Sequence, residues 1–474
     1  MEIRAVRGTI EGMASLAISS DVTGRRSPAL GLAAICLGFF MITLDATIVN
    51  VALEPILNSL GGSLSAAQWI VNAYTLAFAS LLLSAGALAD RVGARAGFAI
   101  GLIIFALGSA ACAAAASMPM LIASRVLQGL GAAWLMPCSL ALIGHTFPGA
   151  HERRRALAIW GGVSGIGLAS GPVLGGMLTT AVDWRAIFLV NVPVAAIAGL
   201  LLLRHVGETR RHHHRLDVPG QLLAIIALST LTAGFIIAGS TGWGTGLALG
   251  LLATGALGAA VFTAVERHRS HPMVDPALFR VRTFSVSVTI GMLFNFCLYG
   301  SLFCLAIDLH AAHGLNALDT GLALLPMTLV TGTFAFLSGR VVGRFGEWPV
   351  MLAGLTVGVL ASVLVALEAD HSALWVLITS SGPIGATALV MPAMTAVAID
   401  NAPEHRIGLA SGVLNAARQT GGAFGVAVLG ALLAGSNHAI SLHGAFGVIA
   451  SAYAAGILLA LHGHHHALPP DDDR

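Results

Sequence analysis

Long apolar segments constrain this chain more than any other feature of its sequence. A helix needs about 20 mainly apolar residues to cross a bilayer, and the chain contains fourteen such runs. They lie near residues 30–53, 66–89, 97–117, 119–143, 156–178, 186–203, 218–238, 245–265, 284–307, 317–339, 349–367, 373–397, 407–434 and 443–461. Backbone that crosses lipid as a helix satisfies its own hydrogen bonds. The sequence therefore predicts an all-α polytopic membrane protein with fourteen transmembrane helices.

The distribution of arginine tests that number and orients the helices. Cytoplasmic loops collect positive charge, and all 24 basic residues of this chain are arginine. With the N-terminus inside, 21 of them fall in cytoplasmic segments, Arg185 falls outside, and Arg125 and Arg418 fall within helices. A missed or invented helix would scramble this partition. We expect both termini in the cytoplasm. The exclusive use of arginine suggests a GC-rich bacterial genome, and for a polytopic membrane protein of such an organism we expect the plasma membrane.

Composition agrees with this class of protein. Charged residues make up 10% of the chain, against about 25% in soluble proteins. The 57 glycines suit closely packed transmembrane helices. The five cysteines fall in apolar runs without a CxxC pair, so we interpret them as packing residues rather than disulfides or metal ligands. Histidine tracts at 212–214 and 462–473 are interpreted as solvated segments, and we recognise no cleavable signal sequence.

An internal repeat divides the chain. The segments GALADRVG (86–93) and GRVVGRFG (339–346) share two glycines and an arginine at an offset of 253 residues, although Gly343 stands where the first copy has Asp90. The offset spans eight helices, so two six-helix halves would be separated by two extra helices. We expect an N-terminal half at 1–204, a two-helix insert with its loops at 205–283, and a C-terminal half with the tail at 284–474. Such repeats are typical of transporters.

Four motifs, in order, carry a family resemblance. LDATIVNVAL (44–53), GALADRVGAR (86–95), SRVLQGLGAA (124–133) and GLASGPVLGG (167–176) resemble the signatures of the fourteen-helix drug–proton antiporters of the major facilitator superfamily. Within that family the chain is most similar to exporters of the methylenomycin-resistance type. DWRAIFLVNVP (183–193) and LNAARQTGGAFGVA (414–427) are also similar, so the resemblance covers nearly the whole chain. One departure is Ala94, where the family usually carries a basic residue.

The glycine motif also has a physical interpretation. Gly167, Gly171 and Gly175 recur every four residues, so they lie on one helix face that can approach a neighbour closely. Pro172 removes a helix hydrogen bond and permits a bend, and Gly176 extends the motif. Ordinary tight packing is the alternative. The resemblance implies that this motif marks antiporters rather than symporters.

The GALADRVG motif places an acid among cytoplasmic arginines. Asp90 and Arg91 lie at the inner end of the second helix, close to Arg95. The resemblance implies a charge lock that holds one conformation and is released in the other. The alternative is a plain positive anchor, which explains the arginines but not the acid.

Asp45 is the only acidic residue predicted deep in the membrane. It lies roughly 22 Å along the first helix, and Arg125 lies roughly 9 Å below the outer surface on the fourth, at 1.5 Å per residue. In a hydrocarbon core about 30 Å thick the two share nearly the same depth. Buried arginine needs a partner or a cavity, and the resemblance implies that both helices line the central cavity. We expect Asp45 and Arg125 to pair in at least one state.

This pair is our candidate for proton coupling. Burial favours the protonated carboxyl group, whereas a neighbouring arginine favours the carboxylate. Moving Arg125 relative to Asp45 would therefore change the affinity for a proton. The alternative is that Asp45 has a structural role and forms hydrogen bonds with Thr43, Thr47 or Asn50.

Further polar or soft residues within helices are candidates for the substrate cavity. Asp308, at the outer end of the ninth helix, is a possible second acid, although it could simply be solvated. Arg418 lies midway along the thirteenth helix, where a structural role is as plausible as a substrate role. The candidate cavity residues are Asn72, Tyr74, Gln128, Met136, Asn295 and Arg418.

These features favour a secondary exporter over two alternatives. We expect proton-driven export of small amphipathic compounds such as antibiotics, by alternating access around a central site. A symporter or uptake carrier of the same fold is the first alternative, and the glycine motif argues against it. An enzyme or receptor is the second, and neither HExxH nor GxSxG occurs. We expect a monomer that binds small molecules and lipid, with no nucleic acid, no metal and no cofactor beyond the proton gradient.

Overall fold

The computed structural model describes residues 27–209, 217–269, 272–368, 374–403, 406–434 and 438–467. This part of the chain forms helices and no β-strand. Fourteen long helical segments follow one another, numbered here in chain order. They are α1 (Pro28–Leu60), α2 (Leu64–Val92), α3 (Ala94–Ala113), α4 (Met118–Thr146), α5 (Ala150–Ala181), α6 (Ala186–His205), α7 (Val218–Thr241), α8 (Gly246–His268), α9 (Arg282–Ala311), α10 (Leu325–Phe345), α11 (Glu347–Glu368), α12 (Leu377–Asp400), α13 (Ile407–Leu433) and α14 (His438–Ala467).

Two of these segments contain a 3₁₀ turn. A 3₁₀ turn, Val49–Ala52, interrupts α1, and a longer one, Gly382–Leu389, interrupts α12. A short helix, Ala317–Ala323, precedes α10. The described part of α14 extends beyond the apolar run into the histidine tract, where the ring of His464 lies 5.8 Å from that of Trp348. That histidine is therefore packed rather than solvated.

Thirteen of the described helices are long and apolar enough to cross a membrane. The predicted segment missing from that set is 407–434, which the structure forms as the 27-residue helix α13. Its glycines and its polar residues, Asn415, Arg418 and Gln419, lower its hydropathy. It nevertheless packs between α9, α2 and α7 inside the bundle. A helix surrounded by other helices has little contact with lipid, so it can carry polar side chains. The all-α membrane fold is confirmed, and the fourteenth span stays a prediction based on the place of α13.

Backbone conformation explains why both copies of the internal repeat end in glycine. Gly93 ends α2 with φ +91°, and its counterpart Gly346 ends α10 with φ +83°. This left-handed region favours glycine because other residues have a Cβ that clashes there. Both copies of the motif therefore end their helix in the same way.

The two central helices, α7 and α8, pack against each other, and α7 contacts helices on both sides of the insert. In α7, Gln221 Nε2 donates to the carbonyl of Ser80 in α2 over 2.7 Å. Farther along α7, the Phe235 ring lies 6.1 Å from the Phe424 ring of α13. One helix of the predicted insert thus contacts both predicted halves. The division into two halves and an insert itself stays a prediction.

The bundle is sealed at its outer side, in the orientation that the arginines indicate. Gln68, near the outer end of α2, donates Nε2 hydrogen bonds of 3.1 Å and 2.9 Å to the carbonyls of Val426 and Ala427 in α13. On the opposite side, Gly321 lies so close to the Pro172 carbonyl of α5 that an added Cβ would overlap it. Helices from the first and last thirds of the chain therefore meet closely on both sides of the outer face.

Toward the cytoplasm α5 and α10 separate, whereas α2 and α13 stay in contact, because an added Cβ at Gly412 of α13 would lie 2.7 Å from Leu83 of α2. At Gly165 of α5, an added Cβ would still lie 3.6 Å from the Gly332 carbonyl of α10. Farther inward, Gly161 and Gly339 have nothing within 4 Å of such a Cβ, and Phe336 is 48% exposed. The structure is thus closed at its outer side, and α5 and α10 separate toward the cytoplasm.

Candidate proton-coupling site

Asp45 and Arg125 form an ion pair in the interior of the bundle. Arg125 Nη1 contacts Asp45 Oδ2, and the two residues are 1% and 0% exposed, respectively. The contact expected from their equal depth is therefore present. Its role in proton coupling is not tested by the geometry and stays a prediction.

Gln128 connects both members of the pair to the surrounding helices. It lies three residues after Arg125 on α4, and hence on the same face. Its Nε2 donates to Asp45 Oδ1 over 3.1 Å and to Ser109 Oγ of α3 over 2.8 Å. Its Oε1 accepts from Arg125 Nη1 over 2.8 Å and from Cys112 Sγ over 3.2 Å. Gln128 is thus part of the charge cluster rather than of a cavity wall.

Asn191 is a further partner that the sequence analysis missed. Its Nδ2 donates to Asp45 Oδ1 over 3.2 Å, from α6. Asn191 lies in the DWRAIFLVNVP segment, where an amide within an apolar run was the available signal. Arg125 gains another contact through its Nε, which donates to the Ile70 carbonyl over 3.0 Å. Asp45 thus accepts hydrogen bonds from three side chains on two other helices.

Aromatic rings enclose the arginine. The guanidinium carbon of Arg125 lies 4.5 Å from the centre of the Tyr74 ring and 5.8 Å from that of Phe188. A ring face attracts a cation, and more strongly where water is excluded. The Tyr74 hydroxyl donates to the Ile42 carbonyl over 3.3 Å, so its position is held from α1. Tyr74 therefore also belongs to the charge cluster.

The alternative structural partners of Asp45 are occupied elsewhere. Thr43 donates to the carbonyls of its own helix, and Thr47 does so and also reaches the Leu168 carbonyl of α5 over 3.3 Å. Asn50 donates to carbonyls one turn earlier. None of these three side chains has a hydrogen bond with Asp45 in this structure, and the choice between a coupling role and a structural role for Asp45 stays a prediction.

A second polar cluster lies at α13 and has a different charge. Arg418 is partly exposed and donates to Asn415 Oδ1 over 3.2 Å and to Asn295 Oδ1 over 3.5 Å. Its Nη2 also lies 3.0 Å from the Met391 sulfur of α12, and Asn295 Nδ2 donates to Gln419 Oε1 over 3.5 Å. Among the described residues no carboxylate forms an ion pair with Arg418. This cluster therefore carries an uncompensated positive charge.

The six candidate cavity residues do not form one wall. Tyr74, Gln128 and Met136 lie in the interior of the N-terminal helices, whereas Asn295 and Arg418 form the second cluster. Asn72 is fully buried, and neither atom of its amide group has a hydrogen-bond partner. The structure thus separates the candidates into two clusters and one isolated amide.

The glycine motif packs α5 against the helix that carries Asp45. An added Cβ at Gly167 or Gly171 would overlap the hydroxyl of Thr43 or Thr47, and one at Gly175 would lie 2.6 Å from the Ile48 carbonyl. The predicted glycine face is thus present. The remaining members of the motif face another helix: Pro172 and Gly176 contact the short helix Ala317–Ala323.

The other predicted charges have mixed outcomes. Arg95 forms an ion pair with Glu208, and its Nη2 donates to the Leu203 carbonyl over 2.8 Å, so it ties α3 to the end of α6. Arg91 lies in the last turn of α2. The Asp90 side chain lies outside the described residues, and the charge lock stays a prediction. Asp308 is buried rather than solvated, with its Oδ2 3.8 Å from His313 Nε2.

The described residues contain no group of three histidine, cysteine or acidic side chains that could hold a metal ion. The five cysteines are free and buried, as expected for packing residues.

Comparison with known proteins identifies the family. The model of the Major Facilitator Superfamily matches residues 35–269 and 284–473. The methylenomycin A resistance protein of Streptomyces coelicolor is 37% identical over 86% of this chain and 87% of its own length. The multidrug resistance protein Stp of Mycobacterium tuberculosis is 38% identical over 86% and 76%, respectively. The tetracenomycin C resistance and export protein of Streptomyces glaucescens is 37% identical over 88% and 77%.

Solved structures support the fold alone. The human organic anion transporter MFSD10 superposes with a TM-score of 0.65 at 18% identity, over 93% of this chain and all of its own. A D-xylose–proton symporter has the same TM-score at 16% identity, over 91% of this chain and 96% of its own.

Proposed function

Because the chain belongs to the major facilitator superfamily, we propose that it is a proton-coupled exporter of small amphipathic compounds, including antibiotics, in the bacterial plasma membrane. Three relatives that are more than 35% identical are named for resistance or export. The observation that carries proton coupling is the fully buried ion pair of Asp45 and Arg125. The protein would act as a carrier rather than an enzyme, as a monomer, with the proton gradient in place of a cofactor.

The ion pair suggests which proton step belongs to the inward-facing state. While Arg125 contacts Asp45, the carboxylate form is stabilised by one cation and by amide donors. A proton on Asp45 would remove the charge that holds Arg125, and a buried cation without a partner is strongly unfavourable. Proton binding is therefore expected to loosen α4 from α1. In an antiporter the proton would leave in the inward-facing state and bind in the outward-facing one.

The glycine motif would transmit this change to the outer seal. Three of its glycines contact α1, while Pro172 and Gly176 contact the short helix before α10. A shift of α1 should therefore also change the contact of α5 with the C-terminal helices, because closely packed backbones cannot move independently. This links the proton site to the opening of the outer side.

The second cluster constrains the substrate. Arg418 adds a positive charge near the middle of the bundle, and Asp45 is already neutralised by Arg125. Dicationic compounds are therefore less favoured than neutral, monocationic or weakly anionic ones. Met391 beside Arg418 provides an adaptable apolar surface, which suits compounds of varied shape.

Proteoliposomes with an internal pH dye test the proposal. Addition of a substrate from a panel of antibiotics and dyes should move protons in the direction opposite to the compound. Asp45→Asn should insert and fold but abolish this movement, while Asp400→Asn, a matched change of an exposed acid at the end of α12, should retain it. Uphill export by Asp45→Asn would refute the coupling role. Protons that move with the compound would establish the symporter alternative instead.

A further inference from the structure

His310 lies at the outer end of α9 and is surrounded by hydrogen-bond acceptors. Its Nε2 lies 3.2 Å from the Val51 carbonyl of α1. Its Nδ1 lies 2.6 Å from the Leu315 carbonyl and 2.8 Å from the carboxylate of Glu54. The residue is 6% exposed, so water cannot readily replace these partners. Apart from the Thr320 hydroxyl, which lies 3.5 Å from Nδ1, the oxygen atoms that face the two ring nitrogens are acceptors.

The number of protons on the ring decides how many of these contacts are favourable. A neutral imidazole has one N–H group, and its other nitrogen is an acceptor. In that form one nitrogen would oppose a carbonyl oxygen, which is repulsive in a buried place. The imidazolium donates from both nitrogens and adds attraction to the Glu54 carboxylate. The geometry of this site thus fits the protonated ring.

These contacts join the two sides of the outer seal. Val51 and Glu54 belong to α1, which carries Asp45, whereas His310 belongs to α9 in the C-terminal part of the chain. Thr320, whose hydroxyl lies 3.5 Å from His310 Nδ1, is in the short helix that the glycine motif also contacts. The ring therefore links α1, on one side of the outer seal, to α9 and the short helix before α10, on the other side.

We propose that His310 is a second proton-binding site of this carrier, at which a proton from the outside closes the outer seal. Glu54 is 47% exposed at its side chain, so it offers protons a route from the outer solution to the buried ring. The other ionisable groups near this site are Glu54 on α1, Asp308 and His313 at the end of α9, and Asp319 on the short helix.

The direction of the effect follows from the geometry. The closed outer side makes both donor contacts, and an open outer side would break the one to Val51. Proton binding therefore favours the closed state. An exporter that takes up protons outside must next close its outer side, so this site would promote the return step. The effect concerns the seal and does not require Asp45 to titrate.

Distance measurement between spin labels tests the proposal without transport. Ala116→Cys and Ala312→Cys place labels on exposed outer loops of the two sides, and the native cysteines are buried. The measurement is made in nanodiscs in an Asp45→Asn background, so that Asp45 cannot contribute. When the pH is lowered from about 8 to about 5.5, the short-distance population should increase.

Variants assign this pH response to one group. His310→Gln keeps an amide donor but cannot titrate, so its distance distribution should no longer change with pH. His310→Lys keeps the charge and should hold the short distance at both pH values, which provides a second readout if the first variant folds poorly. Glu54→Gln removes the carboxylate that attracts the protonated ring, so it should weaken the response without abolishing it. A response that survives in His310→Gln, or that disappears in Glu54→Gln alone, would overturn the proposal, and so would an unchanged distance in the starting protein.

Discussion

In α4, Arg125 is fully buried and paired with Asp45, whereas in α13 Arg418 is partly exposed and contacts neutral side chains. The first arginine is held by a carboxylate, an amide, a backbone carbonyl and two aromatic rings. The second is held by two amides and a thioether. The same residue type thus occurs in two electrostatic settings within one bundle.

This difference indicates that the Asp45–Arg125 pair and the Arg418 cluster have different roles. A balanced buried pair resists change until a proton alters its charge, which suits coupling. An unbalanced and partly exposed cation can respond to whatever enters the cavity, which suits recognition. Removing the two arginines should therefore have very different consequences for folding, and three predictions test the comparison in order of expected effect.

Arg125→Gln should have the largest effect on stability. It leaves the Asp45 carboxylate buried without its cation, and breaking a buried pair in this way costs about 3–5 kcal/mol. Unfolding in detergent micelles by denaturant measures the loss. Arg154→Gln, at an exposed arginine near the start of α5, is the matched control and should be close to wild type.

A double variant sharpens this prediction. Asp45→Asn with Arg125→Gln removes both charges, so it should recover much of the stability that the single arginine variant loses. Equal losses in the single and double variants would mean that the ion pair does not account for the effect.

Gly171→Ala should have an intermediate effect. The added methyl group would overlap Thr47 of α1, and overpacking of this kind costs about 1–3 kcal/mol. Export in vesicles should decrease together with stability, because the shift of α1 reaches Asp45. Gly161→Ala is the matched control on the same helix, where nothing lies within 4 Å of the added Cβ. Similar behaviour of the two alanine variants would show that the glycine face is not needed for close packing.

Much of the coupling site could be predicted from the sequence because its key residues are rare. Asp45 is the single acid deep in an apolar run, and Arg125 is one of two arginines within helices. Their equal depth in the membrane was therefore enough to predict that they pair. The depth of a residue does not show how its helix is rotated about its axis, and hence which neighbours its side chain faces. Asn191 and Ser109 were missed for that reason, and because neutral polar residues are common in glycine-rich helices.

The fold shows the same limit. The run 407–434 was predicted as a helix and the arginine distribution supported it, although the hydropathy of α13 is too low for a membrane span by composition alone. Charge in the loops reports topology independently of the helix. The outer seal was not predicted. His310 looks like one of 18 histidines near a loop, and only the packing of α9 on α1 surrounds it with acceptors. Contacts between distant helices depend on the conformational state, which no local pattern reports.

Arg418→Gln should have the smallest effect on stability. The change removes a cation whose desolvation is unfavourable, while its partners are neutral and partly accessible, so we expect a loss of no more than about 1 kcal/mol, the usual net value of a hydrogen bond. Substrate preference should change instead. Without the positive charge, export of a monocationic dye should increase relative to a neutral dye in the same vesicles, while Arg418→Lys should keep the original ratio. If Arg418→Gln unfolds as readily as Arg125→Gln, Arg418 is a structural charge and the contrast between the two clusters fails.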